Sequence, residues 1–308
     1  GPTISAVTQV VTPSNDTTPS YVFTTNEAGT ITTNIAQGFS TSASAANGNN
    51  TVTFNTLPEG TYADKTVTVT DAAGNASSLT LTTFIVDTTA PTMAITATEV
   101  SDGDTSNDST ISLTFTSSQA TSNFVQGDIT VVGGSLSSFT ASSTTVYTVT
   151  FTPSAEGATT INVAGGAFTD LAGNDNTAAT EFNWTYDGTA PTITVYSDTS
   201  GVTDGSTTND STISMVFVSS EATSTFVVGD ITVTNGALSS FTAVSTKVYT
   251  ATFTPSSDGA TTINIAGGAY TDGGGNNNTV ATEFNWTYDS TSPTGAITYS
   301  AASPYKQG

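Results

Sequence analysis

The sequence contains no cysteine, histidine or arginine, and its three basic side chains are Lys65, Lys247 and Lys306. Without histidine or cysteine there can be no Ser-His-Asp or Cys-His nucleophile, no haem ligation by these residues and no structural zinc site. The missing arginine removes the usual bidentate phosphate ligand, and no Walker loop is present. These absences indicate that the chain is not an enzyme.

The charge is strongly one-sided. The 308 residues include 25 acidic and 3 basic side chains, for a formal net charge of -22. Such a chain repels nucleic acid, whose binding needs a cationic surface. No apolar run approaches the roughly 18 residues of a membrane-spanning helix, so we expect no membrane insertion. The absence of cysteine in a β-rich chain fits a bacterial surface protein whose stability does not come from disulfides.

The chain repeats itself at domain length. Asn107-Asp-Ser-Thr-Ile-Ser recurs at Asn209, and Ala179-Thr-Glu-Phe-Asn-Trp recurs at Ala281, so both segments return after 102 positions. Thr291-Ser-Pro-Thr then opens another copy. A period near 100 residues is a whole repeated domain rather than a solenoid unit. We predict a divergent first domain at 3–88, a second at 89–188, a third at 189–290, and a further repeat or C-terminal tail beginning at 291–308.

Within each domain, apolar and polar residues alternate strictly. Ile111, Leu113 and Phe115 alternate with serine and threonine, and turn-forming Gly, Asn, Asp, Ser and Pro separate such runs. About seven short strands per 100 residues predict an all-β fold of tandem immunoglobulin-like sandwiches. Trp184 and Trp286 lie on the apolar register of a last strand, which favours core packing over sugar stacking. The very short linkers predict an elongated rod.

The first domain shows a change of parity. Leu79 and Leu81 lie on odd positions, whereas Phe84 and Val86 lie on even ones. Because a slip of one residue reverses the face of every side chain, we predict a β-bulge near residues 82–83.

Three short motifs point to a family. Asp71-Ala-Ala-Gly-Asn, Asp170-Leu-Ala-Gly-Asn and the closing Asp87-Thr-Thr-Ala-Pro-Thr resemble the bacterial Ig-like (Big-type) tandem repeats of giant surface adhesins, including extender regions of repeats-in-toxin type adhesins. The resemblance covers nearly the whole chain. It implies an extracellular location on a bacterial cell surface, where such repeats hold a terminal binding module away from the cell and calcium at the domain junctions stiffens the rod.

The acidic residues also point to calcium at the junctions. In an Ig-like sandwich the B–C and F–G loops lie at the end where the chain enters, and the A–B and E–F loops lie where it leaves. Carboxylates that converge on one gap repel each other unless a cation lies among them, and calcium accepts six to eight irregular oxygen ligands. For the second junction this frame predicts as ligands Asp102, Asp104, Asp108, Asp187, Glu221 and Asp272.

The other two junctions are predicted to be weaker. At the first, Asp16, Asp87 and Asp170 are accompanied by Gln119 where the third domain has Glu221. At the last, a half-built site would contain Asp204, Asp210 and Asp289. An alternative interpretation remains open, because Asp and Asn are common turn formers and loop acids keep a protein soluble.

Three functions follow from these patterns. The first is a structural extender of a large extracellular bacterial adhesin, with the neighbouring repeats of the same chain as partners. The second is an Ig-like module that binds a glycan or host surface protein, for which an exposed aromatic patch on the first domain would be the sign. The third is a self-associating component of a biofilm matrix or fibre.

Overall fold

The computed structural model describes residues 1–298, and these form two compact units. The first unit contains residues 1–104 and 108–186, and the second contains residues 105–107 and the chain from Asp187 onward. Of the predicted start of a further repeat, residues 299–308 lie outside the described part. No helix within residues 1–298 is both long and apolar enough to cross a membrane.

The first domain is built from nine strands. They are β1 (Ile4–Thr8), β2 (Ser20–Thr25), β3 (Gly29–Thr33), β4 (Ser44–Ala45), β5 (Gly48–Thr53), β6 (Gly60–Tyr62), β7 (Thr66–Thr70), β8 (Ala76–Thr80) and β9 (Phe84–Val86). The sheets have the orders β1-β2-β5, β4-β3-β7-β8 and β6-β9. Alternate residues of β2 and β7 are buried, and they supply much of one hydrophobic core. The period-two pattern therefore sets which face of each sheet is covered.

The second stretch of strands follows the same logic. Its elements are β10 (Met93–Ala97), β11 (Thr105–Ser106), β12 (Ile111–Ser117), β13 (Ile129–Val132), β14 (Gly134–Ala141), β15 (Val146–Pro153), β16 (Gly157–Val163) and β17 (Phe182–Tyr186), with a single 3₁₀ turn at Gln126–Asp128. Strands β10-β12-β15-β14 form one sheet, and β13, β16 and β17 belong to the other. This is the A-B-E-D and C-F-G arrangement of an immunoglobulin sandwich, which confirms the predicted fold class.

The third domain repeats this architecture. Its elements are β18 (Ile193–Ser197), β19 (Thr207–Thr208), β20 (Ile213–Ser219), β21 (Ile231–Thr234), β22 (Gly236–Ala243), β23 (Val248–Pro255), β24 (Gly259–Ile265) and β25 (Phe284–Tyr288), with a 3₁₀ turn at Val228–Asp230. The sheets have the orders β18-β20-β23-β22 and β19-β25-β24-β21. As predicted, Trp184 and Trp286 are each only 2% exposed and pack edge-on against Phe151 and Phe253.

The parity change in the first domain has a different cause from the predicted bulge, which was wrong. Strand β8 pairs with β7, whereas β9 pairs with β6 in another sheet. The chain leaves one sheet after Thr80 and enters the other at Phe84, with Leu81 buried between the two. When the chain crosses from one sheet to the other, its side chains take the alternation of the new sheet, so the parity changes without an extra residue in either strand pair.

A tyrosine ties one loop to the core of the third domain. The Tyr249 side chain is 3% exposed, and its hydroxyl donates to the backbone carbonyl of Thr223 at 2.8 Å. Tyr147 makes the same contact with Thr121 in the second domain at 3.1 Å. These bonds fasten the B–C loop, which connects β12 to β13 in the second domain and β20 to β21 in the third.

Replacing this tyrosine tests the tether. We expect Tyr249→Phe to leave the Thr223 carbonyl without its partner and to cost about 1–2 kcal/mol of unfolding free energy. That corresponds to a melting temperature lower by about 5–10 °C for a domain of this size, measured by calorimetry. Tyr196→Phe is the matched control, since its ring is 44% exposed, and it should leave the melting temperature unchanged. Equal shifts in both variants would contradict the tether.

Candidate functional site

The Asp-x-x-Gly-Asn motif forms a self-contained turn. In the first domain Asp71 Oδ1 accepts hydrogen bonds from the N–H groups of Ala73 and Asn75, both at 2.9 Å, and Oδ2 accepts one from Asn75 Nδ2 at 2.8 Å. The side-chain amide of Asn75, followed by its backbone N–H, lowers the pKa of Asp71. This aspartate holds the turn, as the turn-former interpretation expects.

In the other two domains the same turn also forms a hydrogen bond to the linker. Asp170 and Asp272 are buried and accept the equivalent bonds within their own F–G loops. The asparagine that closes each loop then donates to a linker carbonyl. Asn174 Nδ2 lies 2.8 Å from Asp87 O, and Asn276 Nδ2 lies 2.8 Å from Asp187 O.

Three of the predicted ligands converge in the second unit. One carboxylate oxygen each from Asp187, Glu221 and Asp272 lies within 4.8 Å of the other two. Asp187 and Glu221 are half-buried and Asp272 is buried. Two unit charges about 4 Å apart repel by about 1 kcal/mol in water and about 4 kcal/mol at an effective dielectric constant of 20. A positive charge near the cluster would therefore reduce the repulsion among its three carboxylates.

A glycine makes room for this cluster. A Cβ added at Gly274 would lie 3.0 Å from both Cβ and Oδ2 of Asp187, which is closer than nearly all real contacts. The equivalent position in the second domain is Ala172. The Gly-rich F–G loop thus admits the Asp187 carboxylate beside Asp272, and the donor set consists of the oxygen ligands that calcium prefers.

A lysine lies at the same place. Lys247 lines an open depression of about 340 Å³ together with Asp187, Glu221 and Gly274, and its Nζ donates to the Ser220 carbonyl at 2.8 Å. The second domain has Gln119 and Thr145 at the positions of Glu221 and Lys247. Relative to the second domain, the third therefore has one added acidic and one added basic side chain here. The Lys247 ammonium group can offset part of the negative charge.

The remaining predicted ligands are placed differently. Asp102, Asp104 and Asp108 belong to the first unit. Asp102 and Asp204 accept from the N–H groups of Asn183 and Asn285, and Asp104 accepts from Ser101 N–H. Asp16, Asp87, Asp210 and Asp289 each accept from a nearby threonine. Within residues 1–298 a group of three carboxylates occurs only at Asp187, Glu221 and Asp272.

Two carboxylates that the sequence did not single out accept hydrogen bonds from residues that follow the last strand of a domain. Glu59 Oε2 accepts from Thr89 Oγ1 at 2.8 Å and from Thr88 Oγ1 at 3.1 Å, just after the last strand of the first domain. Asp258 makes the same contacts with Ser290 and Thr291 after the third. An available signal was the acid that precedes glycine in all three repeats, at Glu59, Glu156 and Asp258.

The first domain lacks the sign expected of a binding module. Its exposed large hydrophobic residues are the aliphatic Val7, Val11 and Ile85. Among the described residues the exposed large aromatic side chain is Tyr196, in the third domain.

Several solved structures match the chain with low overall structural similarity. FdeC, an adhesin of Escherichia coli, is 14% identical with a TM-score of 0.42, over 92% of this chain and 96% of that one. The integrin-binding protein invasin is 19% identical with a TM-score of 0.38, over 86% of this chain and 56% of that one. InvD of Yersinia pseudotuberculosis is 18% identical with a TM-score of 0.33, over 66% and 60% respectively. This chain thus spans little more than half of the invasin and InvD structures.

The family assignment comes from sequence. No curated protein matches the chain at a significant level. One bacterial Ig-like domain family matches residues 87–186 and 187–288, and a second family of the same description matches residues 5–88. These matches cover nearly the whole of the three repeats, and the chain belongs to the bacterial Ig-like domain family.

Proposed function

We propose that this chain is a non-enzymatic extender segment of an extracellular bacterial adhesin. The observation that carries the proposal is the grip of each F–G loop on the preceding linker, through Asn174 at Asp87 O and Asn276 at Asp187 O. A hydrogen bond that fixes a linker restricts the direction in which the chain continues, as an extender requires. The shortness of the linkers adds to this, since strand β9 ends at Val86 and β10 begins at Met93.

Calcium at the second linker is the finer part of the proposal. Asp187, Glu221 and Asp272 would hold the ion, and Gly274 leaves space for the Asp187 carboxylate. A bound divalent cation would neutralise the three carboxylates and connect the linker to the B–C and F–G loops. Extracellular calcium modules of this kind bind weakly, with dissociation constants of about 10⁻⁴–10⁻³ M.

An elongated shape in solution tests the extender role. Three sandwiches end to end should extend about 120 Å, from strands of 7–10 residues at about 3.3 Å each plus loops. A rod of that length has a radius of gyration of about 35 Å, whereas a single globule of this chain length has about 19 Å. We expect small-angle scattering in calcium to give the larger value. A radius of gyration near that of a globule would contradict the extender.

A calcium-dependent melt tests the metal. At about 10 mM calcium and a dissociation constant of about 1 mM, binding stabilises the folded state by about 1.4 kcal/mol. We expect the melting temperature of the third domain to rise by about 5–10 °C relative to chelator. The transition that Tyr249→Phe lowers identifies this domain in a calorimetric scan.

Two variants test whether the proposed ligands cause the calcium-induced rise in melting temperature. Glu221→Gln introduces the residue that the second domain carries, and Gly274→Ala introduces its alanine. Both should reduce the calcium-induced rise. In chelator, Glu221→Gln should melt at or above the parent because it removes one of three repelling carboxylates, whereas Gly274→Ala should melt at or below it because the added Cβ crowds Asp187. Glu283→Gln removes a charge from an exposed position of the same domain and should retain the full rise. If calcium shifts the parent and the Glu221→Gln variant equally, the assigned ligands are wrong.

A further inference from the structure

The first linker is held by side chains that donate hydrogen bonds. Asn174 Nδ2 donates to Asp87 O at 2.8 Å, and Gln119 Nε2 donates to Thr89 O at 2.7 Å. Both asparagine and glutamine come from the second domain, from its F–G and B–C loops. They grip two carbonyls that are separated by one residue, so the linker is fixed at two points.

The first domain holds the same junction from the other side. Glu59 accepts from the Thr88 and Thr89 hydroxyls, and these bonds, with that of Thr89 first, lower its pKa. Asn15 extends to the second domain, where its backbone N–H donates to Ala172 O at 3.0 Å and its Nδ2 donates to Gly173 O at 2.9 Å. Both domains therefore bond directly to each other and to the residues between them.

The chemistry of Gln119 separates this junction from the acidic cluster. A glutamine amide can donate to a carbonyl, whereas a carboxylate can only accept. With its N–H group bonded to Thr89 O, Gln119 holds the linker directly and adds no negative charge that would attract a cation. The third domain has Glu221 at this position, and there the side chain takes part in the three-carboxylate group.

We propose that the residue at this B–C loop position selects how a linker is fixed, and that Gln119 makes the first one independent of calcium. The amide latch consists of Asn15, Gln119 and Asn174, supported by Glu59. Its three amides are uncharged, so neither chelation nor salt removes their hydrogen bonds. The latch itself stands without the calcium proposal, because none of its members belongs to the second unit, and only the contrast with Glu221 rests on that proposal.

The absence of cysteine allows a direct test on the full chain. Thr51→Cys in the first domain and Ser137→Cys in the second place two spin labels on exposed strand positions. Double electron–electron resonance then reports the distribution of distances between the two domains. We expect one narrow distribution that is the same in calcium and in chelator. A distribution that broadens on chelation would overturn the proposal, because calcium would then be holding this linker.

A charge-matched pair of variants identifies the residue responsible. Gln119→Glu removes the donor to Thr89 O and adds a carboxylate to the depression that already contains Glu59 and Asp87. We expect the narrow distribution to be lost in chelator. Gln126→Glu makes the same change at an exposed position whose Nε2 lies 3.5 Å from Leu136 O, away from the linker, and should keep the parent distribution. Equal widths for the two variants would overturn the role of Gln119.

The outcome is separate from that of the calcium melt. The labels report the first unit, whereas the melt reports the third domain. Glu59→Ala provides a second perturbation of the latch from the opposite side and should also broaden the distribution. A variant that retains the melting temperature of the first two domains shows that broadening comes from the linker and not from unfolding.

Discussion

The hydrogen bond from an F–G loop asparagine to a linker carbonyl is the contact on which the organisation of this chain depends. It requires a turn that presents the asparagine side chain at the correct place, and Asp170 and Asp272 hold that turn with both carboxylate oxygens. The same turn in the first domain is exposed, and the hydrogen bonds that the Asp71 carboxylate accepts come from its own loop. The same local turn motif thus also couples to a linker in the second and third domains.

Around this common contact the two linkers differ in charge. At the first, Gln119 adds a neutral donor, whereas at the second Glu221 adds a third carboxylate and Lys247 lies nearby. The second and third domains are otherwise close repeats, with identical strand orders and registers. With a net charge of -22 and three lysines, the chain has few cationic side chains that could neutralise its own carboxylates. A junction that contains clustered carboxylates therefore depends on the ions in solution, whereas one that is held by neutral hydrogen bonds does not.

Much of the fold could be predicted from sequence because alternation reports burial directly. Ile111, Leu113 and Phe115 are fully buried, as their period-two spacing predicts. The sheet crossing before Phe84 could not be told from a bulge, since both change the parity of the pattern. Loop placement on the Ig frame brought Asp187, Glu221 and Asp272 together correctly, but composition alone could not separate them from Asp102 or Asp204, which bond to backbone N–H groups. Glu59 and Asp258 accept hydrogen bonds from hydroxyl groups, and an acid before a glycine cannot be told by sequence from an ordinary turn residue.

The most direct measurement is a crystal structure of the full chain grown in calcium, with anomalous scattering recorded at a wavelength suited to that ion. The account predicts an anomalous peak among Asp187, Glu221 and Asp272, and Gln119 Nε2 within hydrogen-bond distance of Thr89 O without a peak beside it. An ion at the first linker, or a second linker whose carboxylates are neutralised by Lys247 with no ion in saturating calcium, would contradict it.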